Sequence, residues 1–226
     1  MSSSGAEGNL GRISLTIGIT LANAIIECCV SRSTTKLYDP AVTLSDDQIR
    51  ELVGIATTAP TSFNLRNWRF IAVRTPEAKA RLRAVAWDQP KITDAAVTFI
   101  ICRQLVDHSV LPARLASAVE AGIMPAQMVP RCENAARGLH FEQPQRQCDE
   151  AVRTGAIGTA AMIYAAHALG LGSTPIIGFD AEAVAREFAL AEDEVPVMLL
   201  SVGRRFPRIG RRSRAVRWST FWNSHS

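Results

Sequence analysis

The 226-residue chain is poor in aromatics, which make up 6% of it and include only two tyrosines. A core at this length must therefore be built from Ala, Val, Ile and Leu. Five cysteines (Cys28, Cys29, Cys102, Cys132, Cys148) form an odd set with no C-x-x-C spacing. That excludes a disulfide framework and a zinc site, and it fits a reducing, cytoplasmic compartment. No G-x-G-x-x-G follows a strand, and neither G-x-x-x-x-G-K-[ST] nor G-x-S-x-G occurs. Gly170 and Gly172 fall at a helix end, the wrong place for a dinucleotide turn. The four histidines are scattered, no carboxylate pair stands out, and no metal site is expected. His167, on an Ala-rich segment, reads as an interior or interface histidine rather than a base. A chain with binding loops but no acid–base or nucleophile motif points to a cofactor that carries the chemistry.

Composition is otherwise that of an ordinary globular protein, with 47% hydrophobic and 20% charged residues. The length allows one large domain or two small ones, and no repeat or linker divides it cleanly. The net charge of +4 is a local property. Seven arginines (Arg204, Arg205, Arg208, Arg211, Arg212, Arg214, Arg217) and no acid lie between Gly203 and Trp218. Without them 18 cations face 21 acids. No nucleic-acid motif or set of stacking aromatics accompanies this tail, so a phosphate site with a solvated extension is expected instead. Ile13 to Val30 is apolar, but Asn23 and Glu27 interrupt it. A buried helix behind a disordered Ser/Gly-rich start over residues 1–20 is expected, not a membrane segment.

Along the chain, Leu21 to Val30 reads as a helix leading into Arg32. Ser45 is placed to cap a helix with Ile49, Leu52, Val53 and Ala56 on one face. Trp68 to Val73 is strand-like, and Thr75 caps a helix with Pro76 at its first position. Ala96 to Cys102 is a buried strand, with Cys102 in the core. Leu105 to Gln147 is mixed and proline-interrupted, and is expected to hold helices and a lid. Asp149 to Leu169 is a long helix in which Gly155, Gly158, Ala160 and Ala161 permit close backbone approach. Asp180 caps a helix to about Leu190, and Val195 to Val202 is a final strand. Helices and strands mix without a βα rhythm, which argues for an α+β fold.

Two polar stretches carry the binding chemistry. In RSTTKLYD, the Arg32 fork and the Lys36 point charge suit a phosphate, and the Ser33 and Thr34 hydroxyls can donate to its oxygens. In APTSFNLRNWRF, Ser62, Asn64 and Arg66 sit in a loop between a helix and a strand. Asn64 offers donor and acceptor to a planar ring edge, and Arg66 a cation for carbonyls or a nicotinamide. Taken singly, each stretch reads equally well as a solvated helix end or a polar turn.

Together, RSTTKLYD, APTSFNLRNWRF, WDQPKITDAAVTFIIC, AIGTAAMIYAAHALGLGSTPIIGFD and VPVMLLSVGR resemble the FMN-dependent nitroreductase family, in family order, over about Leu21 to Phe221. The resemblance implies a three-layer α+β fold, a mixed or antiparallel sheet flanked by helices, in an intertwined homodimer with FMN at the subunit interface. It implies that Arg32, Ser33, Thr34 and Lys36 hold the phosphate, ribityl and pyrimidine end of FMN. Ser62, Asn64 and Arg66 would meet the flavin, some of them from the partner subunit. Pro175, Ile176, Ile177 and Gly178 would pass along the ring, with the Ile177 N–H near N5. Arg208, or else Arg211, would complete the phosphate site.

The implied reaction is reduction of nitroaromatics, quinones or similar acceptors with NADH or NADPH as donor. No side chain is required as a catalytic acid or base, and Lys36 and Arg66 would tune the flavin. A flavin-dependent desaturase or dehalogenase, or a flavin-binding assembly protein with little turnover, are the alternatives. The chain departs from the family pattern at Arg66, where a glutamine is usual, and at Ile177, where an acid is common.

Overall fold

Eight consecutive residues, Val97–Gln104, form the central strand β2, and the first seven are buried. Its side chains alternate between two helical layers, as the two-residue period of a strand requires. Val97, Phe99 and Ile101 face one core, and Ile100 and Cys102 the other. The computed structural model describes residues 21–206; the expected N-terminal extension and the arginines beyond Arg205 lie outside them.

Around β2 stand β1 (Trp68–Val73), β3 (Gly172–Ile176) and β4 (Glu194–Gly203). The order is β1-β2-β4-β3, and every pairing between named strands is antiparallel. Helix α2 (Asp46–Ala56) and the long α7 (Pro144–Ala168) cover one face, with Leu52, Ala56, Met162 and Ala166 in the shared core. The other face is covered by α3 (Pro76–Ala84), α4 (Pro90–Asp94) and α8 (Ala181–Glu187) through Leu82, Ile92 and Val184. Three layers result, the α+β arrangement expected from the sequence. Inside the second core, the Thr98 and Ser201 hydroxyls bond each other at 2.9 Å, which offsets the cost of burying both.

The caps read from the sequence are present. Ser45 Oγ accepts from the Gln48 N–H while the Gln48 side chain accepts from the Ser45 N–H, a reciprocal capping box. Thr75 caps α3 with Pro76 in its first turn. Helix α8 is shorter than expected, ending at Glu187. Ala189 takes a left-handed conformation (φ 49°) and the Leu190 N–H turns back to the Ala185 carbonyl at 2.9 Å. The unreadable stretch after residue 104 holds α5 (Leu111–Glu120) and α6 (Met128–His140). They form a small core of their own with Leu65 and Val106. Pro144 starts α7, five residues before the start read from the sequence, as proline in a helix first turn permits.

Two expectations change in the structure. The glycines of α7 serve its own sheet: Gly155 faces Val197 and Gly158 faces the Trp68 ring. The helix over 21–31, α1, is not buried within one chain. Leu21, Ile25, Ile26 and Val30 are 60%, 65%, 60% and 69% exposed, while Cys28 and Ser31 in its last turns bond Tyr164 and His167 of α7. No helix among the described residues is long and apolar enough to cross a membrane.

A methyl group at residue 158 would sit 2.5 Å from the Trp68 ring. Gly158→Ala is expected to lower unfolding free energy by about 1–3 kcal/mol in urea titrations, the range for overpacking. Unchanged stability would show that the α7–sheet contact is slack.

Candidate functional site

The stretch after α1 is tied down at three places. At its start, Ser31 Oγ lies 2.7 Å from His167 Nε2 on α7. In the middle, the Thr35 N–H donates to the Ser173 carbonyl (2.9 Å), and Thr174 Oγ1 donates to the Thr35 carbonyl (2.6 Å). This covers the free edge of β3, with Thr34 bridged to Ser173 in parallel sense. At the end, Tyr38 pairs with Arg205, and the buried Tyr38 hydroxyl reaches Thr174 Oγ1 (2.8 Å) and the Ser201 carbonyl (2.9 Å). Burial pushes the phenol pKa up beyond its ordinary range, so the hydroxyl stays a donor. Between these anchors Thr34 and Lys36 are exposed, and Arg32 and Ser33 half-buried. Among the described residues neither Arg32 nor Lys36 enters an ion pair. Two cations and two hydroxyls on an anchored backbone are a donor set that fits a phosphate.

The same β3 leads to the third predicted stretch. Pro175 is exposed, Ile176 is buried in the core, and Ile177 is 78% exposed just past the strand. Gly178 lies under the ring of Trp87, where an added Cβ would come within 2.7 Å of the indole. Gln89 Nε2 donates to the Gly178 carbonyl at 2.7 Å, and the Asp180 N–H donates to the Val85 carbonyl at 2.9 Å. Trp87 and Asp88 both hold left-handed backbone (φ 50° and 52°), and Trp87 is 74% exposed. Sequence reasoning missed this turn. Its signal was a Trp-Asp-Gln between a helix end and Pro90, opposite a glycine just after a strand.

The loop before β1 is the most strained of the site. Phe63, Asn64 and Arg66 have φ of 50°, 56° and 47°, unusual for residues with a Cβ. Its anchors are strong. Leu65 is buried in the core beneath α5 and α6. The Arg66 N–H donates to Thr61 Oγ1 (3.3 Å), and Arg114 reaches the Arg66 carbonyl (3.3 Å). Asn67 is buried between the Gln104 carbonyl, to which its amide donates, and the Arg103 guanidinium, from which it accepts. Arg103 itself stacks 4.4 Å over Trp68, and burial lowers its pKa to about 10. It still carries its charge at neutral pH. Held this way, Arg66 is exposed and its Nε donates to Asn64 Oδ1 at 2.9 Å, so the amide and the cation act as one unit. Ser62 stands one turn earlier.

One chain brings the first and third stretches together and keeps the second apart. Thr34 sits beside Ser173 on β3, which registers through Val202 to Val97, whereas Trp68 on β1 registers to Arg103. That is about 20 Å along the strands and about 19 Å across four spacings. Ser62, Asn64 and Arg66 thus occupy the corner diagonally opposite Arg32 to Lys36. Arg208 and Arg211 lie outside the described residues. Arg205, inside them, is turned toward His167 and the Leu171 carbonyl. No group of His, Cys, Asp and Glu among the described residues could hold a metal.

Residues 29–204 match the family model described as Nitroreductase family. The Bacillus subtilis protein named "Putative NAD(P)H nitroreductase YdgI" is 33% identical over 80% of this chain and 88% of its own length. Among solved structures, a nitroreductase-named protein, YdfN of B. subtilis, superimposes with a TM-score of 0.81 at 20% identity, covering 90% of this chain and all of that one. Another, from Exiguobacterium sibiricum and solved in complex with FMN, has a TM-score of 0.79 at 25% identity, covering 88% and 96%. With its three-layer fold, its anchored cationic stretch along β3 and these matches over most of its length, the chain belongs to the nitroreductase family.

Proposed function

We propose that this protein is an FMN-dependent NAD(P)H oxidoreductase that reduces nitroaromatics, quinones or similar electron-poor acceptors. It works as a homodimer whose two sites each take residues from both subunits. The observation that carries this reading is the separation of the two halves of the site within one chain. A second copy whose loop 61–67 meets the first copy's Arg32–Lys36 and Pro175–Gly178 makes a complete site. The exposed apolar side chains of α1 give that copy a surface to cover. The FMN-bound relative and the name of YdgI support the cofactor and the donor. The free state of all five cysteines supports a cytoplasmic location.

The donor set fits FMN at both ends. Arg32 would hold the phosphate by a charge-assisted fork, with Ser33 and Thr34 donating from their hydroxyls. Lys36 would supply a positive charge to the pyrimidine end of bound FMN and so favour its reduced, anionic form. Bound FMN supplies hydride acceptance from NAD(P)H and hydride donation to the second substrate, in a ping-pong order. The residues around it bind and orient the two substrates in turn; none needs to move a proton as a dedicated acid or base. Ile177 and Gly178 would pass beside the ring, and Trp87, which packs over Gly178, would offer an apolar surface next to that strip.

The purified protein should carry oxidised flavin that bleaches when NADH or NADPH is added without oxygen, and should recover its colour when a quinone follows. Flavin that resists both nucleotides would contradict the reductase reading and favour a desaturase-type use of the cofactor. Arg66→Gln is expected to change the relative kcat/KM for nitroaromatic and quinone acceptors by several-fold, with little change in Tm. Among the described residues the exposed guanidinium bonds Asn64 alone, so its loss removes charge rather than packing. A variant with lowered Tm and the same acceptor ratios would make Arg66 a structural residue.

A further inference from the structure

The three anchors of the Arg32–Lys36 stretch differ in kind. Two are backbone pairings; the first depends on one side chain, His167, whose ring joins three elements of the fold. Arg205 Nη2 lies 3.0 Å from His167 Nδ1, and Ser31 Oγ lies 2.7 Å from its Nε2. A guanidinium only donates, so Nδ1 is the acceptor and the imidazole proton sits on Nε2, donated to Ser31. Ser31 Oγ in turn reaches the Cys28 carbonyl at 3.5 Å, and the Arg32 N–H reaches the same carbonyl at 3.2 Å. The second donor contact of Arg205, to the Leu171 carbonyl at 3.3 Å, fixes the guanidinium against the turn that follows α7. A directional chain thus runs from the end of β4, through the end of α7, to the last turn of α1. Arg32 begins one residue beyond it.

We infer that His167 is a positioning residue for the phosphate end of the cofactor: through Ser31 it fixes where α1 stops and therefore where the Arg32 fork and the Ser33 and Thr34 hydroxyls start. The inference rests on the reading of Arg32–Lys36 as the FMN phosphate segment. Nothing in the polar stretches themselves identifies His167, which is 131 positions beyond Lys36 in the sequence. Its place is half-buried, away from the ring-facing residues Ile177 and Gly178, so a direct part in the redox step is not required of it. The effect should be confined to recognition of the phosphate.

Riboflavin lacks only that phosphate, which makes the ratio of the two affinities the readout. Flavin-free protein is titrated with FMN and with riboflavin by fluorescence quenching. His167→Ala is expected to weaken FMN about five- to tenfold, the size of one hydrogen bond, while riboflavin changes less than about twofold. Ser31→Ala, which removes the acceptor of the imidazole proton, should do the same. His167→Gln, whose amide can both accept from Arg205 and donate to Ser31, should recover most of the FMN preference. Equal weakening of both flavins, or no weakening of either, in His167→Ala and Ser31→Ala would overturn the inference. Arg32→Ala serves as the control. If it leaves the FMN-to-riboflavin ratio unchanged, the phosphate segment itself is misassigned and the role of His167 falls with it.

Discussion

A strand rises about 3.3 Å per residue and its neighbours lie about 4.8 Å away, so opposite corners of a four-stranded sheet cannot be folded onto each other. That spacing governs the rest of this structure. The Thr35 N–H is bonded to one edge strand at the Ser173 carbonyl, and the loop ending at Asn67 is pinned to the far end of β2, beside the other edge, through Gln104 and Arg103. Neither can travel. The residues proposed to meet the flavin are thereby split between two rigid segments, the proposed half-sites of a dimer, and helix α1 carries exposed apolar side chains.

Each half-site spends stabilisation to hold an unfavourable local shape. Three left-handed residues before β1 cost of order 1–3 kcal/mol each at most, and are kept in place by Leu65 in its core and by the buried Asn67 amide. The turn at Trp87 and Asp88 is kept in place by the Gln89 contact to Gly178. Strain of this kind persists only where the surroundings over-determine it, and here the surroundings are the two helical layers and the covered edge of β3. Pre-organised in this way, the backbone of the proposed site would have little to lose on binding a cofactor.

The sequence was most legible where one local rule decides the outcome. Ser45, Thr75 and Pro76 mark helix starts because caps are local, and β2 was plain because the run Ala96 to Cys102 is apolar or small throughout. The polar stretches at Arg32 and Ser62 were legible as binding chemistry, and the ordered motifs identified the family. What could not be read depends on distant residues. Helices α5 and α6 draw their core from Leu65, some fifty residues earlier in the chain. Gly158 seemed a place for another backbone, but its neighbour is Trp68, and only the fold shows that. Trp87 and His167 were equally hidden, since each matters through a partner, Gly178 or Ser31, that lies far away in sequence.

Subunit complementation tests the shared site most directly. Arg32→Ala impairs one half-site, and Asn64→Gly, which keeps the left-handed backbone accessible, impairs the other. Each homodimer should retain little flavin. Co-expressed, roughly half the dimers should be mixed, and each mixed dimer then carries one site with neither substitution. The account predicts flavin content and NAD(P)H oxidation restored to roughly a quarter of the wild-type level. Mixed dimers as empty and inactive as either parent would contradict it, and would mean that both halves of the site come from the same chain.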